Sequence, residues 1–429
     1  MSARHLIAAL LCTVASPALA QTVAITGGKV VIGDGTDPID GATVLVQDGK
    51  VVAVGRDVVV PAGVRKVDAS GKWVTPGLVV AVTDLGLLDV GAVDDSNDSG
   101  ADKSPFSASL DISHAINPDA QHIRVSRAGG VTRAAVAPLD TDTIFGGQGA
   151  VIDLGADPNP VMVPRAFQYV ELGETGARRA GGSRVATWAE LHNSLIEARE
   201  LSLSPAGARR DDVLLNRRDA VALIPVVTGK QPLYVHVERA ADIRMVLKLR
   251  QEFPLLKLVI VGATEGWMVA PELAQAGVSV LATPLNDLPA SFEQLGATQS
   301  NVGRMKAGGV KVSLGAFFDQ PRYAPQYAGN MVALSKVPGA SGLTWNQAFA
   351  SISSGPAEAM GLGDKIGSLR PGRMGDVVIW DGDPLEVTSG VTMVFIDGVE
   401  QPLKDHQTRL RDRYKGSPTE GALPKAYDW

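Results

Sequence analysis

The chain has 429 residues, 45% of them hydrophobic and 20% charged, which is enough for a large domain with a sizeable core and a smaller companion. Its formal net charge is −6 and no run of Lys or Arg stands out. This charge balance argues against nucleic acid or an anionic membrane as a partner.

The first twenty residues have the pattern of an export signal. Arg4 supplies a positive charge, a short apolar run follows it, and Ala18-Leu19-Ala20 forms a small-x-small cleavage site. The apolar run is too short to span a bilayer, and no later segment has the length and apolarity of a transmembrane helix. We therefore expect cleavage after Ala20 and a periplasmic or secreted protein.

The only cysteine of the chain, Cys12, lies inside this predicted signal. The mature chain, starting at Gln21, would then contain no cysteine. Disulfides, thiolate metal sites and thiol nucleophiles are excluded for that mature chain.

The predicted elements begin and end with β-rich segments. These segments are Val23–Ile32, Thr43–Gln47 and Val51–Val54 near one end, and Asp376–Trp380 and Val391–Ile396 near the other. Asp48-Gly49 is a strong two-residue hairpin signal between two of them. Both chain ends are thus predicted to form β structure around a middle region of different character.

The middle of the chain alternates predicted strands with predicted helices. The strands are Leu78–Thr83, Val131–Ala137, Leu223–Val227, Leu233–Val237, Lys257–Val261, Val278–Ala282 and Val310–Leu314, and the helices are Ala240–Glu252, Gly266–Gln275 and Pro289–Ala307. This rhythm indicates parallel strands with helical crossovers, and enough units fit for a (β/α)8 barrel. An open doubly wound sheet is the alternative, but no G-x-G-x-x-G follows a strand.

The predicted fold is therefore α/β, a (β/α)8 TIM-like barrel with a small β-sandwich made from both chain ends. The expected boundaries are 21–75 and 367–405 for the sandwich, 76–366 for the barrel and 406–429 for a surface tail. The segment Asp89–Pro105 is expected to cover the barrel mouth, and Leu201–Asp212 is expected to be a loop.

Three segments resemble the amidohydrolase superfamily, in its imidazolonepropionase-like and prolidase-like branch. The first is Ile25–Val31 followed by Gly41–Gly55, which is similar to the first half of the family's β-sandwich. The others are Gly71–Leu78, which is similar to the entry to the first barrel strand, and Gly367–Leu385, which is similar to the return to the sandwich. The resemblance implies the same barrel and sandwich, and a lineage of metal-dependent hydrolases acting on C–N bonds other than ordinary peptide bonds.

The resemblance also implies one or two divalent ions at the barrel mouth, which would activate a water molecule. The family's ligand positions at the end of the first strand fall here on Val82 and Asp84. The positions on the fifth, sixth and eighth strands fall on His236, Gly262 and Phe317. Only His236 keeps the family's ligand type, so zinc or another divalent metal remains an alternative and no cofactor is the expectation.

Two side chains are candidates for chemistry without a metal. Asp84 and His236 would form an acid/base dyad if they lie together. A single His at the end of a buried strand is equally explained as a hydrogen-bonded core residue, whereas a carboxylate in a barrel mouth must be solvated or paired. His114, His122 and His192 are interpreted as surface or capping residues.

Other residues are expected to line the same mouth as a substrate pocket, and these are Val82, Glu238, Gly262, Thr264, Glu265, Trp267, Phe317 and Asn330. Glu265 is also explained as an acid in the first turn of a helix. The Gly-rich segment Phe145–Ala150 is interpreted as a loop that lets backbone approach a ligand, and it lacks the Lys-Ser/Thr of a phosphate loop.

Two functions remain open from the sequence. The first is a degenerate amidohydrolase, a pseudoenzyme candidate that binds a small molecule. The second is an active hydrolase of amide or cyclic amide bonds with a rearranged or metal-free site using Asp84 and His236. Beyond these two functions, a structural or partner role in an envelope assembly is a third hypothesis, for which the sequence offers nothing specific. A homodimer is possible.

Overall fold

A computed structural model describes residues 22–91, 93–139, 141–204, 211–317 and 320–415. The predicted signal, with Arg4, Cys12 and Ala20, lies outside these described residues, as does the end of the tail. The strands are β1 Val23–Val30, β2 Ile39–Gln47, β3 Lys50–Gly55, β4 Arg65–Asp68, β5 Trp73–Pro76, β6 Leu78–Thr83, β7 Val131–Val136, β8 Phe145–Asp153, β9 Val161–Glu171, β10 Leu233–Val237, β11 Leu258–Gly262, β12 Ser279–Ala282, β13 Lys311–Leu314, β14 Val377–Trp380, β15 Val391–Ile396 and β16 Val399–Glu400.

The α-helices lie mainly between the strands of the middle region. They are α1 Gln121–Ala128, α2 Gly173–Arg179, α3 Arg184–Leu203, α4 Arg217–Val227, α5 Ala240–Glu252, α6 Ala270–Ala276, α7 Asn301–Ala307, α8 Ala324–Leu334, α9 Trp345–Ala350, α10 Ser354–Ala359 and α11 His406–Lys415. Within the described part of the chain, no helix is both long and apolar enough to cross a membrane.

The two chain ends form one eight-stranded sheet, as the sequence indicates. Its order is β16-β15-β14-β5-β1-β2-β3, and β4 pairs with β1. Ile25, Val44, Val377 and Phe395 are among the residues of its separate apolar core. The chain passes from this sheet to the second at Gly77, between β5 and β6, one residue into the expected barrel.

The middle region forms a second eight-stranded sheet in the order β6 to β13 along the chain. Seven strands run parallel and β8 runs antiparallel to both its neighbours. The N–H of Ala316, just after β13, donates to the carbonyl of Ala81 in β6 at 3.1 Å, so the sheet curves round to a nearly closed barrel. The predicted TIM-like barrel is confirmed, with a β7–β8–β9 meander in place of one βα unit.

Two predicted elements of the barrel are wrong. Leu223–Val227 is the second half of α4 and not a strand, and Asn216 caps this helix by accepting the N–H of Asp219 at 3.0 Å. Phe145–Ala150 is part of β8 and not a loop. A Cβ at Gly149 would lie 2.1 Å from the ring of Phe167, so this glycine makes room for an aromatic side chain within the barrel.

The predicted helices after the sixth and seventh strands are shorter than expected. Gly266–Val269 is a 3-10 turn that leads into α6, and the segment Pro289–Ala307 contains only a 3-10 turn at Phe292–Gln294 and α7. The first part of the segment Leu201–Asp212 belongs to α3, and the tail begins with α11, in which no residue is buried.

A buried arginine joins the two sheets. The guanidinium of Arg133, in β7, donates to both carboxylate oxygens of Asp376 at 2.7 Å and to Asp397 at 2.7 Å. Asp153, at the end of β8, lies 3.9 Å from the same guanidinium. Burial raises the pKa of Asp153 to about 6, although the positive charge of Arg133 opposes the shift.

Candidate functional site

The carboxyl ends of β9, β10 and β11 meet at one edge of the barrel, because these strands are parallel. Glu171, the last residue of β9, is the register partner of His236 in β10, and His236 also pairs with Val261 of β11. Tyr234 belongs to the apolar cluster of the barrel interior, so His236, two residues later, faces the interior as well. Glu238 follows directly after β10.

The imidazole of His236 lies between two carboxylates. Its Nδ1 lies 2.7 Å from Oε1 of Glu171, and its Nε2 lies 3.1 Å from Oε1 of Glu238. The second oxygen of Glu238 accepts the backbone N–H of Thr264 at 2.7 Å. We call Glu171, His236 and Glu238 the ion triad.

The ion triad favours a protonated ring. Burial alone would lower the pKa of His236, but the charges of Glu171 and Glu238 and the hydrogen bonds to them raise that pKa well above its usual range. Burial would raise the pKa of Glu238, but its hydrogen bond to His236 and the ring's charge lower it. The arrangement therefore favours an imidazolium, which would donate both of its N–H groups to carboxylates.

Gly262 lies against the ion triad. A Cβ at this position would lie 2.6 Å from Oε1 of Glu238 and 3.0 Å from Cδ2 of His236. Gly262 also has φ +85, a conformation that favours glycine. Any side chain at this position would clash with the Glu238 carboxylate where the structure places it.

The first barrel strand ends in an irregular segment. The pairing of β6 with β7 shifts register between Val80 and Thr83, and Val82 has φ +58, which is rare for a β-branched residue. Val82 is fully buried in the apolar interior cluster. Asp84 follows the strand and is 6% exposed. Simple i, i+2 alternation therefore does not relate Val82 to Asp84.

The predicted Asp84–His236 dyad is not the arrangement that surrounds the ring. Both ring nitrogens of His236 are engaged by Glu171 and Glu238 instead. The sequence interpretation of Glu238 as a mouth residue placed it close to the right position. It left out Glu171, because it predicted no strand in the segment 161–171.

A signal for Glu171 exists in the sequence. The run Phe167-Gln168-Tyr169-Val170-Glu171 has the composition of a β-strand, and Gly173 follows it with φ +68. Such a run, ending in a carboxylate before a turn, predicts a functional side chain at the carboxyl end of a barrel strand.

Three further mouth residues connect the segments at this edge by hydrogen bonds. The amide of Thr264 fixes Glu238, and its Oγ1 accepts a hydrogen bond from Asn286 at 3.3 Å. Glu265 accepts the N–H of Ala240, the first residue of α5, at 2.9 Å and that of Gly296 at 2.9 Å. Glu265 therefore connects two loops and the start of a helix. Trp267 donates from its indole to the carbonyl of Gly296 at 2.9 Å.

Phe317 does not face the ion triad. The ring of Phe317 stacks on Tyr327 of α8 with 5.6 Å between ring centroids, in the core between the sheet and the helices. Ala316 packs against the interior cluster instead. Asn330 is exposed on α8. The expected eighth-strand position is thus displaced by one residue, and the placement of Asn330 in the pocket stays a prediction.

His114, His122 and His192 lie away from the strand ends, as predicted. His114 ends a 3-10 turn, His122 is in α1, and His192 in α3 lies 2.6 Å from Glu252. In the part of the chain that the structure describes, no three His, Cys, Asp or Glu side chains are grouped in a way that would hold a metal ion.

Comparison with known proteins gives one consistent family. A model of the Amidohydrolase family matches residues 269–400. Amidohydrolase tasK of Hapsidospora irregularis is 23% identical over 397 residues, which cover 83% of this chain, and this chain spans only 39% of that relative. An imidazolonepropionase of Maricaulis maris is 24% identical over 384 residues, covering 82% of this chain and 90% of the relative.

The fold has counterparts among solved structures. An amidohydrolase of Thermotoga maritima superposes with a TM-score of 0.78 at 25% identity, over 88% of this chain and 99% of that structure. A molinate hydrolase superposes with a TM-score of 0.54 at 19% identity and shares the fold.

Proposed function

Since the chain belongs to the amidohydrolase superfamily, we propose that it is a degenerate member in which the ion triad stands where the family holds metal, and that its barrel mouth binds a small molecule. The observation that carries this proposal is the double engagement of His236 by Glu171 and Glu238. The lineage is that of hydrolases acting on C–N bonds.

The donor set at the mouth does not fit a catalytic zinc ion. Such an ion requires three protein ligands and a water molecule, and a ligating histidine needs a free, unprotonated ring nitrogen. Val82 and Gly262 carry no donor atom, and Phe317 packs elsewhere. His236 would have to give up a carboxylate partner in order to bind metal.

The imidazolium takes over part of the role of a metal cation. It places a positive charge between the carboxylates of Glu171 and Glu238, which would otherwise repel each other in a buried setting. Because the acceptor groups of Glu238, Thr264 and Asp84 are near this edge of the barrel, the ligand class that suits the mouth is neutral or cationic and rich in hydrogen-bond donors.

Metal analysis of the purified protein tests the proposal. After zinc loading and desalting, wild type and His236→Gln should both retain far less than one equivalent of zinc, manganese or iron. One equivalent in wild type that is lost in His236→Gln would overturn the proposal. Metal-free hydrolysis of amides or cyclic amides that is lost in Asp84→Asn would instead establish the active hydrolase.

We also propose that the protein is exported, with a signal cleaved after Ala20, and acts in the periplasm or outside the cell. The pattern of Arg4, the apolar run and Ala18-Leu19-Ala20 supports this. N-terminal sequencing of the protein from a periplasmic extract should begin at Gln21, and an intact Met1 in the cytoplasmic fraction alone would contradict export.

A further inference from the structure

A cleft of about 980 Å³ lies between α4 and the β8–β9 hairpin. Gln231, at its base, precedes β10, whereas His236 lies near the carboxyl end of that strand. At about 3.3 Å per residue, the five-residue separation puts the cleft roughly 16 Å from the ion triad. The cleft is therefore a separate feature, and its function does not depend on the one proposed above.

The charged residues of the cleft are all cationic among the described lining residues. Those residues are Ser109, Gln148, Pro164, Arg165, Arg217, Arg218, Val221, Ala222, Pro225, Lys230 and Gln231. Asp111 is a neighbour, with its carboxylate 3.7 Å from Nε of Arg165, but it does not line the cleft. Four cations in one cleft stand out in a chain with a net charge of −6, and they would attract an anionic ligand.

Three of the four cations occupy positions that do not serve the stability of α4. Arg217 and Arg218 are the first two residues of this helix, where the helix dipole disfavours positive charge. Arg165 has φ +49 at an irregular position of the hairpin, where the pairing shifts register between Gly149 and Val151. A strained non-glycine residue at a bulge that presents a charge to a cleft is more typical of binding than of packing.

The base of the cleft contains a buried polar atom that needs a donor. Gln231 is 5% exposed, and its Nε2 donates to the carbonyl of Arg165 at 2.8 Å. Its Oε1 has no hydrogen-bond partner among the described residues. Leaving such an acceptor unpaired is costly, and because Gln231 lines the cleft, a small rotation of its side chain would let a ligand N–H or O–H group pair with this oxygen.

The shape of the cleft favours an extended ligand. Arg217 begins the eleven-residue helix α4, which is about 16 Å long, and Lys230 lies three residues beyond its other end. Val221, Ala222 and Pro225 give the middle of the helix an apolar surface. An extended peptide of about five residues spans the same distance.

We propose that this basic cleft binds an acidic peptide segment in an extended conformation. Its carboxylates pair with the cations at the two ends, an apolar side chain covers the middle of α4, and a backbone N–H donates to Oε1 of Gln231.

Fluorescence anisotropy with the full-length mature protein tests the proposal. The probe is labelled Asp-Glu-Leu-Val-Glu-Asp, and the matched neutral peptide is Asn-Gln-Leu-Val-Gln-Asn. The acidic probe should bind, binding should weaken as NaCl is raised from about 50 to about 300 mM, and the neutral peptide should bind at least about tenfold more weakly. Absence of binding by the acidic probe would overturn the proposal.

A pair of double variants locates the site. Arg217→Glu/Lys230→Glu should weaken binding by about tenfold or more, whereas Lys248→Glu/Lys336→Glu, the same charge change at two exposed lysines outside the cleft, should change it by less than about threefold. Equal losses in both would mean non-specific attraction. Equal thermal midpoints for the two double variants would show that the cleft variant folds.

A second comparison examines the buried acceptor and the ligand class. Gln231→Met should weaken binding of the acidic probe several-fold more than Gln168→Met does. Gln168 is a buried amide that does not line the cleft. Equal effects would remove Gln231 from the proposal. If citrate or a single-stranded oligonucleotide binds the cleft more tightly than the acidic probe, the peptide proposal is wrong.

Discussion

Nδ1 of His236 lies 2.7 Å from Oε1 of Glu171, the residue that ends the neighbouring strand β9. The ring nitrogen on the other side lies 3.1 Å from Glu238. The histidine that the sequence analysis predicts at a metal-ligand position is thus held between two carboxylates. Its partners come from its own strand end and the neighbouring one.

Replacement of His236 should be costly to stability. His236→Leu would leave the carboxylates of Glu171 and Glu238 buried without a cation, which typically costs about 3 to 5 kcal/mol. His192→Leu removes a more exposed pair with Glu252 and should cost about 1 kcal/mol or less. Urea denaturation measures both, and equal costs would show that the ion triad is not a buried charge network.

The stability contribution of the ion triad should depend on pH in a definite direction. The pKa of His236 is raised in the folded protein, so its contribution is fully present below the unfolded value of about 6.5 and is lost as the pH rises through the folded value. The pKa of Glu238 is lowered, so its contribution is lost as the pH falls through its folded value.

The comparison of wild type with His236→Gln in urea measures this dependence. Their difference in free energy of unfolding should be largest from about pH 5 to about pH 6.5 and should shrink in alkaline solution. A difference that grows above about pH 8 would contradict a raised pKa of His236.

Gly262 provides a test of the packing around the ion triad. Gly262→Ala is destabilised because alanine disfavours positive φ, and its new Cβ would also displace Glu238, whose Oε1 would lie 2.6 Å away. Gly277 also has positive φ, +65, but no atom would lie within 4 Å of a Cβ at this position. Gly277→Ala should therefore show only the backbone cost of about 1 to 2 kcal/mol. The first variant should be the less stable by at least about 1 kcal/mol. Equal thermal shifts would mean that Glu238 moves aside freely.

Asp153 should make the protein less stable as the pH rises. Its pKa is raised to about 6 in the folded protein by burial, so folding favours its protonated form, and stability should fall between about pH 4 and about pH 6. Asp153→Asn keeps an oxygen for the N–H of Gly155 and should stabilise the protein at pH 7.5 by up to about 3 kcal/mol.

The matched control for Asp153 is Asp157→Asn, an exposed neighbouring carboxylate that should change stability by less than about 0.5 kcal/mol. Thermal denaturation of both variants at pH 4.5 and at pH 7.5 gives the comparison. If Asp153→Asn is less stable than wild type at pH 7.5, the charged carboxylate is needed beside Arg133.

Much of the fold follows from local patterns in the sequence. Ala240–Glu252 is a helix with the predicted bounds, and β6, β10, β12 and β13 agree with their predictions to within one residue. The run Leu223–Val227 misled because a short apolar run does not distinguish a buried helix from a strand. The cap by Asn216 on Asp219 was the signal that favoured the helix.

The site was less accessible from the sequence than the fold. Counting the strands predicts that His236, Glu238 and Gly262 lie together, and in the structure they do. The prediction works because the carboxyl ends of parallel strands meet at one edge of the barrel. The position of Glu171 is set by β9, and local sequence patterns do not predict this strand. It contains Pro164 and a residue at positive φ, and its pairing with β8 shifts register. Tertiary packing decides which side chains pair across strands. The sequence alone therefore predicts the Asp84–His236 dyad and not the ion triad.

The measurement that tests the central claim most directly is the ¹⁵N spectrum of the His236 ring at pH 7.5, recorded before and after one equivalent of zinc, with His236→Gln for assignment. The account predicts an imidazolium with two hydrogen-bonded N–H protons that does not change when zinc is added. A neutral ring whose nitrogen signal shifts with zinc would contradict the account and restore His236 as a metal ligand.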